Sequence, residues 1–302
     1  MSTRPTILSL LMTTCFSTVA FTATATDCTE YDPFVAAAQS DDYETALQYY
    51  ETLEINPGCT QEFRDWAESY LARASFLRAA TSDGSAAEKA ELLERALSFE
   101  KHWRTFSELG RLAWDGADYD LAAGYFQAAI NQLIDGPESH HATTEEVEEV
   151  YRLATASVAL ANEVVQLPTT RSGAPGGILV ASVRGFVVEE VSLPITFRYG
   201  EDNFDERGQL FADKLIDHLN LTGATRITLG GHTDPRGSDE FNLKLSEDRT
   251  KALEKYLKSN GFEGEVDLNW FGESRPPHAV PGIDPESEEF FQLSRRVVFS
   301  IG

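Results

Sequence analysis

From about Asp32 to Val165, apolar residues recur at intervals of three and four, the spacing that lines up one face of an α-helix. Ala, Leu, Glu and aromatic residues dominate this stretch, and Pro is scarce. The pattern predicts a series of packed helices. The spacing changes beyond it. The segments LPITFRY, TRITLGG at Thr225–Gly231, EVDLNWFG at Glu265–Gly272 and RRVVFSI at Arg295–Ile301 are short and rich in β-branched residues, which predicts strands. The β-branched stretch from Leu179 to Phe197 leads into the first of them. Between the strands, Asp205–Asn220 and Ser238–Ser259 have a helical period, with Leu210, Phe211, Leu215 and Leu219 expected inward on the first helix. Strands alternating with helices predict a sheet with helices packed on it. QLPTTRSGAPGGI, Gln166–Ile178, separates the two regions and has the Pro, Gly, Ser and Thr content of a linker.

The helical half repeats itself. DYETALQYYETL at Asp42–Leu53 aligns with DYDLAAGYFQAAI at Asp118–Ile130, each placing Tyr, then Ala three later, then an aromatic four further on. Small residues facing large ones let helices of a hairpin approach closely. Leu109-Gly110, Tyr119, Ala122, Phe126 and Ala129 fall at the spacing of a tetratricopeptide repeat, which this segment resembles. A weaker copy spans Tyr70 to Lys101, through Leu93 and Ala96, and INPG at Ile55–Gly58 reads as a turn between repeats. A last helix is expected over Thr144–Val165, capped by Thr143 or Thr144. The resemblance implies an array that recruits a protein or peptide partner, whose identity the residues do not reveal; the alternative is a helical array that only spaces or dimerises the chain.

The first residues have the form of an export signal. Arg4 precedes an apolar run, Ile7–Phe21, and Ala23-Thr24-Ala25 is a small-x-small cleavage site. Residues 1–25 are therefore expected to be removed, and no other segment has the length and apolarity of a membrane span. Cleavage leaves Cys28 and Cys59, which in an oxidising compartment are expected to form a disulfide; two free thiols are the alternative. The net charge of −24 over 302 residues argues against nucleic acid and anionic membrane surfaces as partners.

The candidate chemistry lies in the C-terminal third. GHTDPRG at Gly231–Gly237 follows a strand and precedes a helix, so Asp234 is expected on a loop held by a scaffold. On the following helix Asn242, Leu245, Arg249, Ala252 and Tyr256 share a stripe. An inward Arg needs a partner. That partner is either Asp234, in an internal salt bridge, or a ligand carboxylate, with Asp234 taking a ligand ammonium.

GHTDPRG, NLKLSEDR at Asn242–Arg249, GESRPP at Gly272–Pro277 and SRRVVFSI at Ser294–Ile301 occur in the order and spacing of OmpA-like domains, which this third of the chain resembles. The resemblance implies peptidoglycan binding without cleavage, Asp234 and Arg249 gripping the two ends of diaminopimelate in the stem peptide. It further implies that Thr233, Asn242, Leu245 and Arg296 line or support the pocket, and that Gly200 supplies a contact after the first strand. The chain departs from the family pattern at Arg198-Tyr199 and in the acidic insert GIDPESEEFF.

No cofactor is expected. His232 with His218, and the pair His140-His141, lack the spacing of metal ligands, and IDPESEE lacks the alternating oxygens of a calcium loop, so no metal site is expected. There is no nucleophile–base motif or phosphate-cradling loop. The expected protein is an α+β two-domain chain: a tetratricopeptide-like all-α array over 26–166, a linker and lead-in strand over 167–190, and an OmpA-like domain over 191–302 with helices on one face of a mixed sheet. The implied role is non-catalytic, in the periplasm or at the outer membrane of a Gram-negative envelope. The alternatives are a scaffold in an envelope machine, with auxiliary wall binding, or a hydrolase of envelope polymers.

Overall fold

A computed structural model describes residues 28–137, 141–163, 177–179, 182–183, 186–188, 191–193, 195–198 and 201–302. The expected leader, most of the expected linker, His140 and Gly200 lie outside the described residues. No described helix is long and apolar enough to cross a membrane. The chain divides into two compact units, Met1–Leu71 and Ala72–Gly302.

In the first unit, α1 (Tyr31–Gln39) and α2 (Tyr43–Leu53) form a hairpin, followed by α3 (Gln61–Thr81), within which the boundary falls. Phe34 is fully buried, its ring edge-on to those of Phe63, Trp66 and Tyr70. Cys28 and Cys59 are joined in a disulfide, the pairing expected for them.

After the end of α3, the second unit continues with α4 (Ala86–Phe99), α5 (Trp103–Asp115), α6 (Tyr119–Asp135) and α7 (Thr144–Leu160). Ser85 with Glu88 and Thr143 with Glu146 form capping boxes that satisfy the free N–H groups at the starts of α4 and α7. The two sequence copies adopt one turn: Asp41 and Ala117 both have φ of 57°, and Asp42 and Asp118, next in line, cap α2 and α6. Gly110 lies where α5 and α6 cross, and a Cβ there would sit 2.9 Å from the Phe126 ring.

After a 3-10 turn at Gly177–Leu179 come a small hairpin, β1 (Ser182–Val183) with β2 (Phe186–Val187), then β3 (Val191–Leu193), α8 (Glu206–Thr222), β4 (Arg226–His232), α9 (Asp239–Ser259), β5 (Glu265–Gly272), α10 (Glu288–Ser294) and β6 (Val297–Ile301). The main sheet has the order β3-β6-β4-β5, antiparallel except for the β4–β5 pair. A parallel pair needs a crossover, and α9 provides it.

Three expectations are corrected. The first strand of the sheet is Val191–Leu193, not LPITFRY. Within the described residues of that segment, Phe197 makes only an isolated bridge to Phe204. Leu210 is exposed, because the inward face of α8 is set by Phe211, Ala212, Leu215 and Leu219. The inward stripe of α9 is Asn242, Ser246, Arg249, Thr250, Leu253 and Leu257, with Leu245, Ala252 and Tyr256 half-buried at its flank.

One apolar core runs through the second unit, from Phe126 and Leu153 to Leu229, Leu253 and Phe299. Polar ties cross it. Tyr151 Oη donates to Ile178 O at 2.7 Å, Ile178 N to Gln127 Oε1 at 2.9 Å, Trp114 Nε1 to Pro281 O at 2.9 Å and Gln292 Nε2 to Ala159 O at 2.8 Å. Helices α5–α7 thus pack into the same body as the sheet and α10.

Candidate ligand-binding site

The site forms where β4 ends and α9 begins. Gly231 permits the close approach: a Cβ there would lie 2.6 Å from Ser246 O on α9. Ser238 caps α9 by accepting from Phe241 N at 3.2 Å. Between them, Thr233 N donates to Gly272 O at 2.9 Å, which pins the loop to the end of β5. Asn242, on the first turn of α9, donates from Nδ2 to Asp234 O at 3.2 Å and to Glu273 Oε2. The Thr233 hydroxyl is buried and has no partner among the described residues.

Asp234 is 7% exposed and fully engaged. Its Oδ2 accepts from Arg236 Nη2 and from Arg295 Nη1, both at 2.7 Å, and its Oδ1 accepts from Arg236 N at 3.0 Å. Burial pushes its carboxyl up, but the bonds from Arg236 and Arg295 outweigh burial and hold it below the usual carboxylate range. The same two guanidinium groups reach Glu288 on α10: Arg236 Nη1 donates to Oε2 at 3.1 Å and Arg295 Nη2 to Oε1 at 2.9 Å.

Arg249 is also 7% exposed, and its situation is the reverse. Its Nε donates to Glu201 O at 3.3 Å, and its guanidinium carbon lies 5.1 Å from the centre of the Phe197 ring. Among the described residues no carboxylate lies within ion-pair distance, so the internal Arg249–Asp234 salt bridge left open by the sequence does not form. Burial first, then the nearby Arg295, lower its pKa to about 10 despite the attraction of Asp234. It stays charged at neutral pH.

Arg249, Arg295, Arg296 and His232 line a small cavity walled by Ile195, Phe197 and Val297. Arg296 Nη2 donates to Arg275 O at 3.2 Å, and its carbonyl accepts from His232 N at 3.0 Å. Burial, with Arg296 and Arg275 adding to it, brings His232 down to about 3, so its ring is neutral. The structure therefore brings Asp234, Thr233, Asn242, Arg249 and Arg296 to one end of the sheet, with Leu245 half-buried on α9. Sequence reasoning missed Arg236, Arg295 and Glu288. Ser287 followed by Glu288-Glu289 is a helix-start signal within the acidic insert, and Ser287 does cap α10.

Among the described residues, the grouping with metal-like spacing is Cys28, Glu30 and Cys59. Its sulfurs are already bonded to each other, which leaves no thiolate to bind an ion.

The family model described as "OmpA family" matches residues 196–284. A peptidoglycan-associated lipoprotein of Pasteurella multocida is 33% identical over 108 residues, which cover 35% of this chain and 69% of that protein. The chain belongs to the OmpA family. The corresponding lipoprotein of Pseudomonas aeruginosa is 32% identical over 124 residues, covering 40% of this chain and 70% of the relative. Outer membrane porin F of the same organism is 35% identical over 112 residues, 36% of this chain and 31% of the porin. Among solved structures, the peptidoglycan-associated lipoprotein of Burkholderia pseudomallei aligns at 21% identity with a TM-score of 0.30, over 38% of this chain and 91% of that one. In every case the similarity to the OmpA family is confined to a minor share of the chain.

Proposed function

We propose that this protein is a non-catalytic component of a Gram-negative cell envelope, exported to the periplasm and associated with the outer membrane, which binds peptidoglycan through its OmpA domain. In this reading residues 1–25 are an export signal. The helices over 26–166, tetratricopeptide-like, recruit a protein partner, and residues 167–190 connect them to the wall-binding domain at 191–302. The ligand group is the diaminopimelate of the stem peptide. Arg249 takes its carboxylate through the planar fork, and Asp234 takes its ammonium. Thr233, Asn242, Leu245 and Arg296 support them, and Gly200 contributes after the first strand.

The observation that carries this reading is the state of Arg249. A guanidinium buried with no carboxylate of its own is costly to maintain, and a ligand carboxylate would relieve that cost. The similarity to proteins named peptidoglycan-associated lipoprotein supports the class of ligand.

Isothermal titration of the full chain with a diaminopimelate-containing muropeptide tests it. Wild type is expected to bind, and Asp234→Asn and Arg249→Ala should each weaken binding by at least about thirtyfold, as for loss of one partner of a desolvated charge pair. Absence of wild-type binding at millimolar ligand would sink the proposal.

A further inference from the structure

The carboxylate meant to receive an ammonium already holds two guanidinium groups, which raises a question of selectivity. Asp234 carries one negative charge, while Arg236 and Arg295, bonded to it, carry two positive ones. Arg249 and Arg296 add two more at the cavity. Left alone, this cluster would favour any anion and repel a cation. Among the described residues, the other carboxylate bonded to those same two arginines is Glu288. It shares both guanidinium groups with Asp234, so neither neutralises Asp234 alone.

Glu288 is held in place rather than hanging from a loop. It opens α10, which Ser287 caps and whose Leu293 is buried in the core. Gln292 of the same helix donates to Ala159 O at the end of α7. Arg236 also lies over the Phe291 ring, at 5.0 Å, which fixes the arginine against α10.

We propose that Glu288 is a specificity-determining residue of the wall-binding site: by sharing Arg236 and Arg295 with Asp234 and setting a second negative charge beside them, it lets the site take a zwitterion in preference to a simple carboxylate. Glu288 does not touch the ligand. It acts through the two arginines, and α10 positions it. The proposal rests on the reading of Asp234 and Arg249 given above.

The test compares two probes on the full chain: a muropeptide with a free diaminopimelate amine and carboxylate, and the same muropeptide with that amine acetylated. Wild type should prefer the free amine. In Glu288→Gln that preference should fall about three- to fivefold, the scale of an exposed charge pair. The loss should come from weaker binding of the free-amine probe, with the acetylated probe unchanged or tighter, and Glu288→Asp should restore part of the preference. The change should shrink at 1 M salt, where exposed charges are screened. An unchanged preference in Glu288→Gln, or equal weakening of both probes, overturns the role of Glu288 while leaving wall binding intact. Failure of wild type to bind either probe removes the wall-binding reading and this inference with it.

Discussion

The helical region and the sheet region bury different kinds of polar group. Among the described residues of the helices, the buried polar side chains are Ser75, Thr105, Ser107, Gln127 and Ser157, all neutral. Ser157 donates to Leu153 O and Gln127 accepts from Ile178 N, so these groups complete backbone bonding. The sheet region buries Asp234 and Arg249, both charged, together with Asn242, Thr233 and His232. Folding explains these two, since the oxygen of each is bonded to buried backbone. It does not explain Arg249, which an apolar side chain would replace at a gain. Groups that a fold would be more stable without mark the place where function was selected.

The largest effect comes from testing that contrast directly. Arg249→Met should abolish muropeptide binding, by more than about a hundredfold, while raising unfolding free energy by about 1–4 kcal/mol. Gln127→Met in the helices should do the opposite: binding stays, and stability falls by about 1–3 kcal/mol because Ile178 N loses its acceptor. Chemical denaturation of the two variants beside wild type measures both. If Arg249→Met proves as destabilising as Gln127→Met, the distinction between the regions is lost and Arg249 is a structural group.

A second contrast lies in what holds each region. The first unit has three helical segments and a disulfide closing a 31-residue separation. Cys28→Ser with Cys59→Ser should lower its stability by about 2–4 kcal/mol, seen as faster amide exchange over 28–71. Amides of β4 and β6 should keep their protection and muropeptide affinity should be unchanged. Loss of affinity in the double variant would tie the site to the staple.

How much of this was legible in the sequence differs along the same line. The helices and their caps follow from local rules: apolar spacing, Asp42 and Asp118 at equivalent turns, Ser85 and Thr143 three residues before Glu. The main strands were legible from their β-branched runs, except the first, where the ladder to β6 is made by Val191–Leu193 rather than by the segment after it. Asp234 and Arg249 were found through motif order. Their surroundings were not, because Arg236, Arg295 and Glu288 come from three segments that only the folded sheet brings together. Side-chain pairing across such distances leaves no periodic trace. The inward stripe of α9 shows the same limit, since residues one position apart on a helix differ by about 100°, and the row that faces the sheet is the one whose Ser246 lies against Gly231.

The smallest effect concerns pH and belongs to the sheet region alone. His232 has an ordinary pKa of 6.5, lowered to about 3 in the folded chain by burial and the neighbouring arginines. Between these values the unfolded chain takes up a proton that the folded chain refuses. The stability associated with the neutral ring is therefore complete above about pH 6.5 and declines as pH falls towards 3, by about 1.4 kcal/mol per unit. His218, also lowered by burial, adds a slope of the same sign. His232→Phe should reduce the loss between pH 7 and pH 5 by about 2 kcal/mol, read from denaturation at the two values. Asp234 contributes in the same direction only at lower pH, because its carboxyl sits below the usual carboxylate range. Arg249 at about 10 stays charged throughout. Muropeptide affinity should therefore hold steady over the window in which stability declines, and a parallel fall in affinity would show that His232 titrates as part of the binding site.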